Sequence, residues 1–249
     1  MNTPDPEKEW FTDWFNSCYY HLLYKNRNQE EAAAFIRKLC AASGIVSGSR
    51  ILDLACGKGR HSITLHELGM QVTGVDLSLE SILEADKHAA PGLEFYVHDM
   101  RRPFRMHYFD YVFNLFTSFG YFKSENENKD VLSAVQKGLK PGGRFIIDFF
   151  NGAKVRTMLQ QPYQTEVTSG DVVFHIHKWQ DGKHVYKEIR FTDKGRDYFF
   201  TERVQLLGYA EFERLLQPHF KIDACYGDYN LANFDEINSD RLILITSLK

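Results

Sequence analysis

Few cysteines and no export signal are the first features that narrow the classes of protein to which this sequence can belong. The cysteines are Cys18, Cys40, Cys56 and Cys225, and no two of them form a CxxC pair. Residues 1–9 are polar and acidic, without the basic and apolar segments of a secretory signal. Scattered cysteines without such a signal indicate reduced thiols rather than disulfides or a zinc site. We therefore expect a cytoplasmic protein without a metal.

Long apolar runs and an excess of basic charge are also absent. The most apolar run, 145–150, has the length of a buried strand and not that of a membrane span. The 249 residues carry a formal net charge of −3, whereas nucleic-acid-binding proteins usually present a basic face. A basic segment at 183–190 is interpreted as a solvated strand face. We therefore expect neither a membrane nor a nucleic-acid partner.

The sequence does contain short apolar runs that alternate with helix-like segments. The runs cover 50–54, 71–76, 93–98, 108–113 and 143–149, and the helical patterns between them cover 60–68, 79–88 and 125–139. Strands that alternate with helices predict a parallel sheet with helices on both faces. Pro141-Gly142-Gly143 predicts a turn before the fifth strand. Two earlier helices are predicted at 7–24 and 29–42, from apolar residues that recur about every 3.6 positions.

Residues 163–207 show a different pattern, in which apolar and polar residues alternate between turn signals. These signals are Ser169-Gly170, Gln180-Asp181-Gly182 and Asp193-Lys194-Gly195. The pattern predicts four antiparallel strands joined by hairpin turns. A helix at 210–216 and strands at 220–225 and 241–246 follow. We expect one domain of residues 1–160 and 208–249 that contains the insertion 161–207.

The strongest chemical signal is the run 51–61, ILDLACGKGRH, in which a buried strand leads into a glycine-rich turn and a helix. Gly57 and Gly59 let the backbone approach a ligand where a Cβ atom would collide. Asp76 follows the second strand and Asp99 the third, and ligands of open α/β sheets bind at this carboxyl edge. Taken singly, each acid fits a helix cap or a solvated loop; together they predict a nucleoside-binding site.

The type of nucleoside cofactor is narrowed by what the glycine turn lacks. Ser62 stands where a dinucleotide-binding turn has its third glycine, and no GxxxxGK[ST] motif is present. Two glycines and a following acid suit a cofactor that has a ribose and no pyrophosphate.

Four motifs in order resemble those of the class I S-adenosylmethionine-dependent methyltransferases. Asp53-x-x-Cys56-Gly57-x-Gly59 resembles motif I, and 75–78 resembles the acidic motif that binds ribose. Asp99-Met100 is similar to the adenine-binding position, and 139–143 to the turn before the fifth strand. The resemblance implies an α/β fold with a seven-stranded, mostly parallel Rossmann-like sheet whose last strand is antiparallel, flanked by helices, with a small antiparallel β insertion.

The resemblance also implies a set of cofactor-binding residues. Asp53 and the glycine backbone would flank the methionine moiety, Asp76 would bind ribose, and Asp99 and Met100 would bind adenine. The whole implied set is Tyr20, Tyr24, Asp53, Ala55, Gly57, Gly59, Asp76, Leu77, Asp99, Met100, Asn114, Leu115 and Phe116. S-adenosyl-L-methionine would be the cofactor and S-adenosyl-L-homocysteine the product.

A narrower resemblance points to small-molecule N-methyltransferases of the amino-sugar type. It rests on the segment 20–24, on 116–121 after the fourth strand, and on the β-rich insertion, which in that family walls the acceptor site and pairs subunits in some members. His21 departs from the Asp that is common there. The candidate acceptor-site residues are Tyr24, Thr117, Ser118, Tyr121, His175 and His177. The resemblance also allows a homodimer.

The predicted function is methyl transfer to a nitrogen or oxygen atom of a small acceptor. The loop that begins at Asn114 lacks the prolines of amide methyltransferases and the cysteine nucleophile of cytosine C5-methyltransferases. The alternatives are a tRNA or other nucleic-acid methyltransferase, a non-catalytic relative that binds the cofactor, and a dinucleotide enzyme.

Overall fold

The computed structural model describes residues 10–25 and 29–249, and the chain divides into two compact units. The smaller unit contains the described residues 10–25 together with 155–206, and the larger contains 29–154 and 207–249. The strands are β1 Arg50–Leu54, β2 Gln71–Asp76, β3 Leu93–Val97, β4 Phe109–Asn114, β5 Leu139–Phe150, β6 Tyr163–Ser169, β7 Val172–Gln180, β8 His184–Asp193, β9 Arg196–Gln205, β10 Phe220–Tyr226 and β11 Arg241–Leu248. The helices are α1 Trp10–Phe15, α2 Cys18–Leu23, α3 Gln29–Ser43, α4 Arg60–Glu67, α5 Leu79–Ala85, α6 Glu125–Gly138, α7 Gly152–Met158 and α8 Tyr209–Leu216.

The larger unit is built on a seven-stranded sheet with the order β10-β11-β5-β4-β1-β2-β3. β11 runs antiparallel to both β5 and β10, and the remaining neighbours are parallel. Helices α4, α5, α6 and α8 pack against these strands. The predicted α/β fold with an antiparallel last strand is confirmed. Because the chain runs outward from β1 to β3 and then returns to β4, the strand order reverses between β1 and β4.

The core of this unit explains why the short apolar runs became strands. Ile51 of β1, Phe113 of β4 and Ile146 of β5 are fully buried, together with Phe35 and Leu39 of α3. Parallel strands are covered on both faces, so they are apolar along most of their length. The same runs are therefore visible in the sequence, and β1 and β2 begin and end at the predicted residues.

The fifth strand departs from its prediction because Pro141-Gly142-Gly143 does not precede it. β5 already begins at Leu139, which pairs with Phe109, and pairing resumes with Arg144 opposite Tyr111. The extra residues form an irregularity inside the strand, where Gly142 has a φ of 79°. The ion pair from Lys140 Nζ to Asp110 Oδ1, 2.6 Å long, joins β5 and β4 across this irregularity.

The smaller unit contains the predicted four antiparallel strands, in the order β6-β7-β8-β9. One face of this sheet is apolar and includes Phe174, Ile189 and Phe191, and the fully buried Trp14 of α1 packs with them. The alternation of the sequence therefore reports one buried and one exposed sheet face.

The N-terminal segment forms two short helices where a single helix over 7–24 was predicted, and residues 7–9 lie outside the described part. Ser17 has extended backbone angles and its hydroxyl accepts a hydrogen bond from Tyr19 N at 3.2 Å, which ends one helix and begins the next. Both helices group with the four-stranded sheet, whereas the expected domain boundaries placed them with the larger unit. The reason is packing, because the Trp14 ring lies 4.6 Å from that of Phe200. The short helix α7 was not predicted.

No helix in the described part of the chain is both long and apolar enough to cross a membrane.

Candidate functional site

The reversal of strand order brings the carboxyl ends of β4, β1, β2 and β3 side by side at one edge of the larger sheet. Such a reversal is where open α/β sheets bind ligands. The predicted site residues of this unit all lie at or just after these four strand ends: Asp53, Ala55, Gly57, Gly59, Asp76, Leu77, Asp99, Met100, Asn114, Leu115, Phe116, Thr117, Ser118 and Tyr121.

The glycine turn after β1 uses its two glycines for different purposes. Both have left-handed φ angles, 56° at Gly57 and 78° at Gly59. A Cβ atom on Gly57 would meet nothing within 4 Å, so this side of the turn is open to a ligand. A Cβ atom on Gly59 would lie 2.7 Å from Cε1 of Phe95. The turn therefore leaves open space beside Gly57, whereas Gly59 is required by packing inside the protein.

Asp76 connects the end of β2 to the glycine turn. Its Oδ2 accepts a hydrogen bond from Gly57 N and its Oδ1 accepts one from Ser78 N, both at 2.8 Å. Burial raises the pKa of this carboxyl group, although the backbone donors oppose the shift. An ionised carboxylate has about four acceptor positions, so two remain for ligand hydroxyls.

Asp53 is 1% exposed, and its Oδ2 accepts a hydrogen bond of 2.6 Å from the Ser62 hydroxyl. Burial raises the pKa of Asp53 to about 6, the hydrogen bond from Ser62 opposes this shift, and the negative charge of Asp76 adds to it. The ionised carboxylate at neutral pH therefore costs folding free energy.

Replacing Asp53 with asparagine should remove this cost and its pH dependence. A raised pKa in the folded state means that stability is present at low pH and is lost as the pH rises through 6. As the pH rises from 5 to 8, the difference in free energy of unfolding between the variant and the wild type should shift by about 1–2 kcal/mol in favour of the variant. Urea unfolding at several pH values measures this difference. A difference that stays constant with pH would show that Asp53 does not titrate in this range.

Asp99 is held by an arginine that sequence reasoning did not identify. The Arg101 guanidinium donates to both carboxylate oxygens, the shortest bond being 2.6 Å from Nη2 to Oδ2, and its Nη1 donates to Glu127 at 2.8 Å. Burial by itself would raise the pKa of Asp99, but the hydrogen bonds and charge of Arg101 hold it below the usual value. The predicted bond from Asp99 to an exocyclic amine has to use an acceptor position that Arg101 leaves open.

Asn114 at the end of β4 spans the reversal of strand order. Its Nδ2 donates to the carbonyl oxygen of Leu54 on β1 at 2.9 Å, and the side chain is fully buried. Its Oδ1 has no hydrogen-bond partner among the described residues. Buried polar atoms are nearly always paired, so this oxygen is suited to a donor from a ligand.

The loop after β4 is held by aromatic stacking. The Phe116 ring lies between His61, with a centroid distance of 4.9 Å, and Tyr229, with one of 5.2 Å. The Arg60 guanidinium lies 4.6 Å from the centre of the same ring. Sequence reasoning missed Arg60 and Tyr229, since a ring contact between distant segments leaves no local signal. Phe119 and Phe122, by contrast, are core residues.

The remaining predicted site residues, Tyr20, Tyr24, His175 and His177, belong to the smaller unit. The Tyr24 hydroxyl donates to Glu202 Oε1 at 2.7 Å and receives a hydrogen bond from Lys187. The Tyr20 ring packs edge-on against Trp14. Their roles toward a cofactor or an acceptor stay predictions.

His175 and His177 share the sheet face opposite the apolar core, as their spacing predicts. His175 Nδ1 lies 2.9 Å from Glu166 Oε1. Both histidines line a depression of about 570 Å³, whose full lining is Gln164, Thr165, Glu166, His175, Ile176, His177, Glu188 and Arg190.

Comparison with known proteins agrees with this geometry. The chain is 27% identical over 209 residues to dTDP-3-amino-3,4,6-trideoxy-alpha-D-glucopyranose N,N-dimethyltransferase of Streptomyces venezuelae, covering 78% of this chain and 84% of that protein. It is 37% identical over 109 residues to a putative methyltransferase, YqeM, of Bacillus subtilis, covering 43% and 44%. The chain spans about half the length of several curated relatives that it matches.

A solved structure of an S-adenosylmethionine-dependent methyltransferase from Clostridium acetobutylicum superposes with a TM-score of 0.78 at 22% identity, covering 92% of this chain and 96% of that one. This likeness shows a common fold. A family model described as a methyltransferase domain matches residues 45–197, which is more than half of the chain. The chain therefore belongs to the methyltransferase domain family, as its motifs predicted.

Proposed function

We propose that this chain is an S-adenosylmethionine-dependent methyltransferase that acts on a small-molecule acceptor through a nitrogen or oxygen atom, with an amine favoured. The observation that carries the proposal is the order of polar groups along one sheet edge. Asp99 follows β3, Asp76 ends β2, the open turn at Gly57 follows β1, and Asn114 ends β4. An elongated adenosyl ligand that crosses these strand ends would meet each group in turn.

The residues at this edge fit S-adenosylmethionine. The free acceptor positions of Asp76 suit the two ribose hydroxyls, and the open side of Gly57 leaves space for close backbone contact. The unpaired Oδ1 of Asn114 suits a donor such as the ammonium group of the methionine moiety. The buried carboxylate of Asp53 contributes negative charge near the same turn.

The bound cofactor would supply a methyl group on a positively charged sulfur, which is already strongly electrophilic. The chain then has to orient the acceptor and exclude water, and such positioning can contribute about 7–11 kcal/mol. The hydroxyl groups of Thr117, Ser118 and Tyr121 are the candidates of the larger unit for orienting an acceptor. An amine that arrives uncharged needs little help from a general base.

An amine acceptor is favoured by comparison with a relative. The relative from Streptomyces venezuelae is named as an N,N-dimethyltransferase of an amino sugar, and its alignment covers 78% of this chain.

A product assay tests this proposal. The protein is incubated with S-adenosylmethionine and separate panels of amino sugars, other small amines, phenols and thiols, and the release of S-adenosylhomocysteine is measured. We expect release with at least one amine, well above the rate of a parallel sample of the Asp76→Ala variant. Release with phenols alone would show that the acceptor atom is oxygen. Failure to bind S-adenosylhomocysteine in calorimetry would refute the proposal as a whole.

A further inference from the structure

Asp148 is a buried acid to which the proposed function assigns no role. It lies near the carboxyl end of β5, opposite Ile243 of β11, and is fully buried. Its position in the sheet is one residue beyond Ile147, the partner of Asn114. A carboxylate is rarely found without exposure unless it is paired, so its partners indicate what it does.

The partners of Asp148 come from three separate segments. Arg241 Nε and Nη2 lie 2.8 and 2.7 Å from its Oδ1. Phe116 N donates to Oδ2 at 2.9 Å, and the Tyr229 hydroxyl lies 3.4 Å from the same oxygen. Removing two charges from water offsets much of their attraction, so a buried ion pair is weak support for a role in stability. A role in holding the segment that contains Phe116 is the better explanation.

That segment is strained. Phe116 and Thr117 have φ angles of 58° and 61°, so two consecutive residues with side chains adopt the left-handed conformation. The left-handed conformation costs about 1–2 kcal/mol per residue, and it is exceptional for a β-branched residue such as threonine. Strain of this kind persists where the surroundings fix the backbone, and it is concentrated at functional sites.

Three hydrogen bonds fix the strained pair. Phe116 N donates to the Asp148 side chain, and Thr117 N donates to the Asp148 carbonyl oxygen at 3.0 Å. Arg241 Nη2 donates to Thr117 Oγ1 at 3.1 Å. Asp148 and Arg241, which we call the loop clamp, therefore bind the backbone and the hydroxyl of the pair immediately beyond Asn114 and Leu115.

We propose that the loop clamp is a positioning device for the methionine end of the cofactor. The proposal rests on the proposed function above. If Asp99 and Asp76 hold the adenosine end beside β3 and β2, the rest of an elongated ligand extends toward β1 and β4. The strained pair determines where the backbone after β4 runs at that end. The clamp acts on the cofactor through this backbone and not by direct contact.

Two ligands that share the adenosine end separate this role from general stability. S-adenosylhomocysteine carries the complete amino-acid portion, and 5′-methylthioadenosine lacks it. In calorimetry, Arg241→Gln should weaken the binding of S-adenosylhomocysteine by about tenfold, which corresponds to the loss of one hydrogen bond to a charged group. The affinity for 5′-methylthioadenosine should change by no more than about twofold. Arg241→Lys keeps the charge without the planar guanidinium group, so its affinity for S-adenosylhomocysteine should lie between those of the wild type and Arg241→Gln.

The chain offers a matched control in the ion pair between Lys140 and Asp110. It joins β5 and β4 at the opposite end of these strands, away from the loop clamp. Lys140→Gln should leave the affinity for both ligands unchanged. If Arg241→Gln does not fold, Thr117→Val and Thr117→Ser replace it, because the first removes the hydroxyl acceptor with little change of shape and the second keeps it.

The outcomes distinguish this inference from the proposed function. Equal weakening of both ligands, or unchanged binding of S-adenosylhomocysteine, in Arg241→Gln or its substitute Thr117→Val overturns the role of the clamp and leaves the proposed function standing. A wild-type protein that binds neither ligand overturns the proposed function, and the clamp's role falls with it. Selective loss of S-adenosylhomocysteine supports both.

Discussion

Replacing Asp76 with alanine should weaken the binding of S-adenosylhomocysteine by about 100-fold or more. Each hydrogen bond to a charged group contributes about 1.5–3 kcal/mol, and two ribose hydroxyls would bond to this carboxylate. A loss of about 3 kcal/mol corresponds to about 100-fold in the dissociation constant. The substitution also removes the acceptor for Gly57 N, which is one of the hydrogen bonds that join the glycine turn to β2. Isothermal titration calorimetry gives the affinity directly.

Asp110 provides the comparison for this substitution. It is another acid of the same sheet, but it lies at the start of β4 and pairs with Lys140 at the opposite edge. Asp110→Ala should bind S-adenosylhomocysteine as the wild type does. An Asp76→Ala variant with unchanged affinity would show that ribose is not bound at the end of β2.

The two glycines of the turn should fail in different ways when they are replaced by alanine. Gly59→Ala should lower the free energy of unfolding by about 2–4 kcal/mol, because its Cβ atom would collide with Phe95 and its φ angle is left-handed. Gly57→Ala has open space around the new methyl group and should lose only about 1–2 kcal/mol from backbone strain. Its methyl group would occupy space that the cofactor needs, so we expect a large loss of affinity there.

Urea unfolding and calorimetry on both variants measure this contrast. The double variant Gly59→Ala/Phe95→Leu should recover part of the stability that Gly59→Ala loses, because the contact with the Phe95 ring at 2.7 Å disappears. No such rescue is expected for Gly57→Ala. Wild-type affinity in Gly57→Ala would mean that the ligand does not approach this side of the turn.

Most of the fold could be predicted from local sequence patterns. β1 and β2 are short runs of mostly buried residues that were recognised from their apolar positions, and both were predicted at their observed boundaries. The start of β5 could not, because the irregularity around Gly142 depends on which residues of β4 lie opposite. The break between α1 and α2 at Ser17 was also missed, since the aromatic spacing continues across it.

The residues of the candidate site likewise divide into those that local sequence patterns predict and those that they do not. The position of Asp53, Asp76 and Asp99 at one sheet edge could be predicted because strand ends are local features and parallel strands meet at one edge. Arg241 was missed because its partner Thr117 lies 124 positions away in the chain. Asp148 did leave a signal, an acid in the middle of the most apolar run of the sequence, and its burial requires the partners that were found.

The pairing of α1 with the four-stranded sheet has a consequence for how the smaller unit is assembled during synthesis. Trp14 donates a hydrogen bond to Glu202, 188 positions later, and fills the apolar face formed by β7 and β8. Chains emerge from the ribosome with the N-terminal part first. Helices α1 and α2 therefore cannot complete their contacts with this sheet until β9 has been synthesised.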